Sequence, residues 1–276
     1  MASPLITADE LARILDRGDV RIVDCRWDLA NPERAPEEYR SGHLPGAVFA
    51  SLDDDLTAPV GPGRHPLPTP ARFGESLSRL GITPNSRVVV YDDSGGGFAA
   101  RLWWMLTDQG HEQTSVLDGG IQAWVAGGNS LDMEAVIPPR GGMETRPWTR
   151  IVDRDQVVAR PEHTVVIDAR IAERYRGESE PIDPIAGHIP GAVSVPHPGN
   201  LAPDLTLRDP GTLRSRFSEV GVTDAEHVIV YCGSGVTTCL NILAMEIAGI
   251  GRPWLYEGSW SDWCSTDLPI ATGDAP

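Results

Sequence analysis

The sequence predicts two tandem α/β domains, each a parallel sheet covered by helices on both faces, and three observations carry that expectation. The two halves of the chain repeat one another; short β-branched runs alternate with helical patterns inside each half; and a turn-rich stretch, Pro138-Pro139-Arg140-Gly141-Gly142, separates them. Alternation of this kind is the pattern of strands joined by covering helices, and such proline and glycine clusters mark linkers. The expected boundaries are a first domain over 1–135, a linker over 136–149 and a second domain over 150–276. A chain of 276 residues is long enough for two cores.

The repeat keeps its order along both halves. Ile22-Val23-Asp24-Cys25-Arg26 matches Val166-Ile167-Asp168-Ala169-Arg170, a buried strand ending in Asp-x-Arg. Gly42-His43-Leu44-Pro45-Gly46-Ala47-Val48 matches Gly187-His188-Ile189-Pro190-Gly191-Ala192-Val193. Gly81 precedes the strand Val88-Val89-Val90-Tyr91 as Gly221 precedes Val228-Ile229-Val230-Tyr231. Asp118-Gly119-Gly120 followed by Trp124 matches Glu257-Gly258-Ser259 followed by Trp263. Four ordered matches displaced by roughly 140 residues indicate a tandem duplication. Helical patterns fall over Thr7 to Arg17, Pro70 to Leu80, Ala99 to Thr107 and Leu213 to Val220. Trp103-Trp104 reads as core, because bulky aromatics bury large areas.

With 39 acidic against 23 basic side chains, the net charge of −16 argues against nucleic acid or an anionic membrane surface as a partner. The first ten residues carry neither a basic region nor an apolar core of signal-peptide length, and no later run is long enough to span a bilayer. The expectation is a cytoplasmic protein. Its four cysteines, Cys25, Cys232, Cys239 and Cys264, lack paired CxxC spacing, which suits free thiols in a reducing compartment.

One cysteine stands apart. Val230-Tyr231-Cys232-Gly233-Ser234-Gly235-Val236-Thr237-Thr238-Cys239 is an apolar strand, a cysteine, a glycine-rich loop and a helix start. Backbone N–H groups and the positive end of a helix dipole converge there and favour thiolate over thiol. Slid without gaps onto the first half, Tyr231-Cys232-Gly233-Ser234 falls on Tyr91-Asp92-Asp93-Ser94, so the first copy lacks the nucleophile. Cys239 and Cys25 read as core packing; the exposure of Cys264 is open. His43 and His188 repeat in both halves and read as structural.

Asp-x-Arg, the doubled Gly-His-x-Pro-Gly-Ala, Cys232-Gly233-Ser234-Gly235-Val236-Thr237 and Gly258-Ser259-Trp260-Ser261-Asp262-Trp263 resemble the tandem-domain rhodaneses, the thiosulfate and 3-mercaptopyruvate sulfurtransferases, over essentially the whole chain. The resemblance implies that thiolate Cys232 takes sulfur from a small anionic donor, holds it as a persulfide and passes it to a thiol, a thioredoxin-like acceptor or cyanide, with no metal or cofactor. The amides of Gly233, Ser234, Gly235, Val236, Thr237 and Thr238 would cradle the sulfane sulfur. Gly233-Ser234-Gly235 falls with the mercaptopyruvate branch, whereas thiosulfate-preferring members carry basic residues there. A proposed Ser-His-Asp relay maps onto Ser234, His65 and Asp53, and the donor carboxylate onto Arg174. A second arginine carried by some members is missing from the acidic stretch Glu178-Ser179-Glu180-Pro181-Ile182-Asp183; Arg176 is a candidate substitute, with an ordinary surface role equally open. Two rivals remain: a thiosulfate-preferring enzyme and a non-enzymatic persulfide carrier. Cysteine phosphatases of similar fold need an arginine six residues after the cysteine, where this chain has Thr238.

Overall fold

The computed structural model describes residues 3–276. They form two compact units that are not contiguous halves. Unit 1 takes the chain up to Thr57, then Pro68–Trp148 and Pro203–Leu207; unit 2 takes Ala58–Leu67, Thr149–Ala202 and Arg208–Pro276. The turn-rich stretch expected as a linker therefore packs with unit 1, where Gly141 N donates to Ser78 O at 3.0 Å and Gly142 N to Ile82 O at 2.8 Å.

Unit 1 runs β1 (Leu5–Ile6), α1 (Ala8–Ala12), β2 (Val20–Asp24), α2 (Arg34–Ser41), β3 (Val48–Phe49), α3 (Leu52–Asp55), α4 (Pro70–Arg79), β4 (Arg87–Tyr91), α5 (Ala99–Asp108), β5 (Thr114–Leu117) and α6 (Gly120–Ala126). Thr7 caps α1 through a capping box with Glu10. That helix ends at Ala12, short of the expected Arg17, because the chain tightens into i→i−3 turns from Leu11 O to Ile14 N and from Ile14 O to Arg17 N. Thr69 caps α4, with Pro70 in its first turn.

Unit 2 repeats the plan with β6 (Ile151–Val152), α7 (Arg154–Val158), β7 (Val165–Asp168), α8 (Ala172–Tyr175), β8 (Ala192–Ser194), α9 (Pro210–Ser218), β9 (Val228–Tyr231), α10 (Thr238–Ile247), β10 (Trp254–Tyr256) and α11 (Ser259–Trp263). Both sheets are parallel and five-stranded, in the orders β1-β5-β4-β2-β3 and β6-β10-β9-β7-β8, the same topology twice. The order reverses direction after β3 and after β8. Right-handed crossovers then send the connecting helices to opposite faces. Accordingly α1 packs on α6, and α3 on α4. Sheets covered on both faces need apolar central strands; Val88–Tyr91 and Val228–Tyr231 are buried throughout, and Trp103 and Trp104 lie in the core.

The Asp-x-Arg repeats are buried ion pairs at the ends of β2 and β7. Arg26 Nη2 lies 2.6 Å from Asp24, and Arg170 Nη2 lies 2.6 Å from Asp168; the same guanidiniums donate to the carbonyls of Gly42 and Gly187. His43 and His188 are buried, stacked on Tyr39 and Tyr175, and bonded through Nδ1 to those tyrosines' carbonyls at 2.7 and 2.8 Å. Identical use in both units makes these histidines structural. No helix among the described residues is long and apolar enough to cross a membrane.

Candidate active site

Cys232 follows β9, the central strand of its sheet, at the carboxyl end where parallel α/β sheets bind ligands. Its side chain is buried. The loop leaves the strand and enters α10 through Gly235, whose φ of 73° lies in the left-handed region that favours glycine. The Gly258–Trp263 segment braces this loop from below. Trp260 N donates to Cys232 O at 3.0 Å, Ser261 N to Gly233 O at 2.9 Å, and Cys232 N to Ser259 Oγ at 3.3 Å. Ser259 holds a left-handed φ of 55°, unusual for a non-glycine residue, and its hydroxyl ties the turn down by donating to Tyr256 O.

The equivalent loop of unit 1 reveals what such a turn binds. The fully buried Asp92 carboxylate receives four backbone donors: Ser94 N and Gly96 N on Oδ1 at 2.9 and 2.8 Å, Phe98 N and Ala99 N on Oδ2 at 2.7 and 2.8 Å. The loop is an anion cradle filled by its own side chain. Gly95, at φ 68°, turns it as Gly235 turns the other. In unit 2 the corresponding amides belong to Ser234, Val236, Thr238 and Cys239, of which the last is turned onto Val236 O at 3.0 Å. The Thr238 hydroxyl beside them is buried without a hydrogen-bond partner.

His65 comes from the first half of the sequence but belongs to unit 2, within Ala58–Leu67. That segment is tied down by Ala58 N to Pro66 O at 2.9 Å, Arg64 N to Ser261 Oγ at 3.0 Å and Leu67 N to Glu257 Oε2 at 3.0 Å. A Cβ at Gly63, where φ is 71°, would collide with the Gly258 carbonyl. So held, the buried His65 places Nδ1 2.8 Å from Ser234 Oγ. Asp53 lies in unit 1, where Trp27 Nε1 donates to its Oδ2 at 3.0 Å; its membership of a relay rests on the family resemblance alone.

Arg174, from the short α8, is fixed by the acidic stretch that follows it. Nε donates to Glu180 Oε2 at 2.9 Å, and Nη2 reaches Glu180 Oε1 at 2.7 Å and Asp183 Oδ2 at 2.9 Å. Burial pushes the Glu180 carboxyl up, but the Arg174 contact and the amides of Asp183 and Ile182 outweigh it and hold the group below the usual carboxylate range. Arg176 is not at this site: it pairs at the surface with Glu178 at 2.8 Å. The guanidinium the sequence reading missed is Arg64, whose Nη1 lies 2.5 Å from Asp183 Oδ1. A Cβ on Gly233 would stand 3.1 Å from Arg64 Nη2 and 3.4 Å from Arg174 Nη1, so two cations face that glycine. The only sequence signal was a basic residue next to His65.

Two of the other thiols are pushed towards the neutral form. Burial, then the charges of Asp24, Asp92 and Asp55, push the Cys25 thiol up; burial, then Asp183 and Glu180, push up Cys264, which is buried rather than exposed. The Cys239 thiol donates to Gly235 O at 3.5 Å.

The duplicated sheets and the cysteine loop define a class: the chain belongs to the rhodanese-like domain family, which it matches over residues 7–127 and 153–266. It is 41% identical to a probable 3-mercaptopyruvate sulfurtransferase of Pseudomonas aeruginosa over 99% of both chains. It is 40% identical to SseB, a putative thiosulfate sulfurtransferase of Mycobacterium tuberculosis, over 98% of both. Among solved structures, SseA of Escherichia coli, described as a 3-mercaptopyruvate sulfotransferase, superposes with a TM-score of 0.83 at 32% identity, covering 94% of this chain and all of that one.

Proposed function

We propose that this chain is a sulfurtransferase that moves sulfane sulfur from 3-mercaptopyruvate through a Cys232 persulfide to a thiol, a thioredoxin-like acceptor or cyanide. Thiolate Cys232 attacks the donor sulfur, the donor C–S bond breaks, and its electron pair leaves as pyruvate enolate. The acceptor thiolate then attacks the outer sulfur, and Cys232 returns as thiolate. The attacking nucleophile, Cys232 in the first step and the acceptor in the second, supplies the electron pair, so the chemistry needs no metal or cofactor. A reducing compartment such as the cytoplasm suits a resting thiol.

The observation that carries this reading is the anion cradle. In unit 1 the loop surrounds a full carboxylate charge with backbone N–H groups, and in unit 2 the matching loop begins at a cysteine in the carboxylate's place. Amides of residues 233–238 and the unpartnered Thr238 hydroxyl are suited to the negative outer sulfur. Gly233, Gly235, Val236 and Thr237 shape the walls. Ser234 and His65, at 2.8 Å, are suited to pass a proton to the departing enolate, with Asp53 added on resemblance. Arg174 is the candidate grip on the donor carboxylate. The unit 1 loop, with Asp92 saturated by its own amides, is assigned no chemistry.

The relatives' names divide between the two donors. The neutral Gly233-Ser234-Gly235 loop favours mercaptopyruvate. Mass spectrometry tests the core of the proposal: 3-mercaptopyruvate should add one sulfur, about 32 Da, to the wild type and none to Cys232→Ser. An adduct on Cys25, Cys239 or Cys264, or turnover in Cys232→Ser, overturns it. Stoichiometric loading without multiple turnovers identifies a carrier, and a higher kcat/KM for thiosulfate reverses the donor assignment.

A further inference from the structure

We infer that Arg64 is a second donor-binding guanidinium, and that Asp183 presets it beside Arg174 at Gly233. The inference rests on the sulfurtransferase reading for the identity of the donor, but the anion site itself is argued from geometry. Asp183 uses one oxygen for each arginine, Oδ1 for Arg64 at 2.5 Å and Oδ2 for Arg174 at 2.9 Å. Arg174 spends Nε and Nη2 on Glu180 and Asp183 and leaves Nη1 towards Gly233. Arg64 spends Nη1 on Asp183 and leaves Nη2 at 3.1 Å from where a Gly233 Cβ would be. Among the described residues neither facing nitrogen has a hydrogen-bond acceptor, and Arg64 Nε is buried without one.

Two guanidiniums standing this close repel unless an anion lies between them. Asp183 supplies that charge on one side; the side facing Gly233, one residue from the nucleophile, is left for a ligand. A small anion bearing a planar carboxylate or an SO₃ group matches two guanidiniums that both reach one point beside Gly233. The absence of a side chain at 233 keeps this point clear: a Cβ there would crowd Arg64 Nη2 at 3.1 Å and touch Arg174 at ordinary contact distance. Arg64 is also the most exposed of the three groups, with 26% of its side chain accessible against 11% for Arg174 and 3% for Asp183. It is therefore the arm an entering anion meets first. The same backbone segment carries His65, so the donor contact and the proton relay are set by one anchored loop.

The test uses the full chain and two readouts. Pyruvate, which carries the donor's carboxylate but no transferable sulfur, is titrated into wild type, Arg64→Ala and Arg64→Lys by calorimetry. In parallel, kcat and KM for 3-mercaptopyruvate are measured, together with the rate at which preformed persulfide is discharged to cyanide. Arg64→Ala should weaken pyruvate binding and lower kcat/KM about tenfold to a hundredfold, chiefly through KM, and leave discharge unchanged. Arg64→Lys should restore only part, because an ammonium lacks the fork. Unchanged affinity and kcat/KM in Arg64→Ala overturn the inference, as does a loss shared equally by loading and discharge and fully restored by lysine, which marks a structural tether. Weakened pyruvate binding in a chain that forms no persulfide supports the anion site and fails the sulfurtransferase reading instead.

Discussion

Replacing Arg174 with alanine separates two duties of one guanidinium. The substitution takes three charge-assisted contacts from Glu180 and Asp183. Breaking a buried pair costs about 3–5 kcal/mol when the partner is left bare. Neither carboxylate is left bare here: Asp183 keeps Arg64, and Glu180 keeps the amides of Ile182 and Asp183 at 3.1 Å each and Arg170 Nη1 at 3.3 Å. The loss of stability therefore falls lower, at about 2–3 kcal/mol, which lowers Tm by roughly 4–12 °C. If Arg174 also grips the donor carboxylate, kcat/KM for 3-mercaptopyruvate falls by a further factor of about ten to a hundred, equivalent to about 1.5–3 kcal/mol. Thermal melts measure the first effect, and steady-state kinetics at 25 °C, below the transition, measure the second. Arg174→Lys should recover most of the stability and little of the rate, since it keeps the charge and loses the bidentate geometry. Arg176→Ala is the control, because it removes surface pairs with Glu178 and Asp274 away from this site. If the two alanine variants lose kcat/KM alike, or lysine restores the full rate at position 174, the assignment of the carboxylate site is wrong.

Two further outcomes are expected. Ser234→Ala removes the hydroxyl held 2.8 Å from His65 Nδ1 and should lower kcat by about 10²–10⁴ while flattening its pH profile; a drop of under about threefold, with the profile intact, removes Ser234 from the proton path. Asp92→Asn keeps the shape of the unit 1 cradle but replaces two acceptors with one, leaving buried amides unmatched. It should destabilise the chain by about 2–5 kcal/mol in urea melts without changing kcat/KM of the folded protein, and a wild-type midpoint would show that those four hydrogen bonds do not hold the loop.

Much of the architecture was legible because it is encoded locally and twice. A duplicated run of β-branched strands and amphipathic helices specifies paired parallel sheets, and α4, α5 and β9 fall within a few residues of their expected bounds. The shortened α1 was not legible, since its end is decided by i→i−3 turns rather than by periodicity. Cys232 stood out for a similar local reason: strand, glycine loop and helix start are contiguous, and their convergence on one sulfur follows from backbone geometry.

The sequence by itself determined the duplicated fold, the family and the one cysteine set between a strand, a glycine-rich loop and a helix start. Tertiary structure decided what surrounds that cysteine. Ala58–Leu67 belongs by sequence to the first half and by packing to unit 2, and only there do His65 meet Ser234 and Arg64 meet Asp183. The acidic stretch after Arg174 lacks the second arginine that some family members carry, and in the folded chain its Glu180 and Asp183 pair with Arg174 and Arg64. The physical reason is one of range. Strand and helix patterns reflect neighbours a few residues apart. The charge of a site is a sum over groups far apart in sequence, 119 residues for Arg64 and Asp183, and only the folded chain brings them within a hydrogen bond.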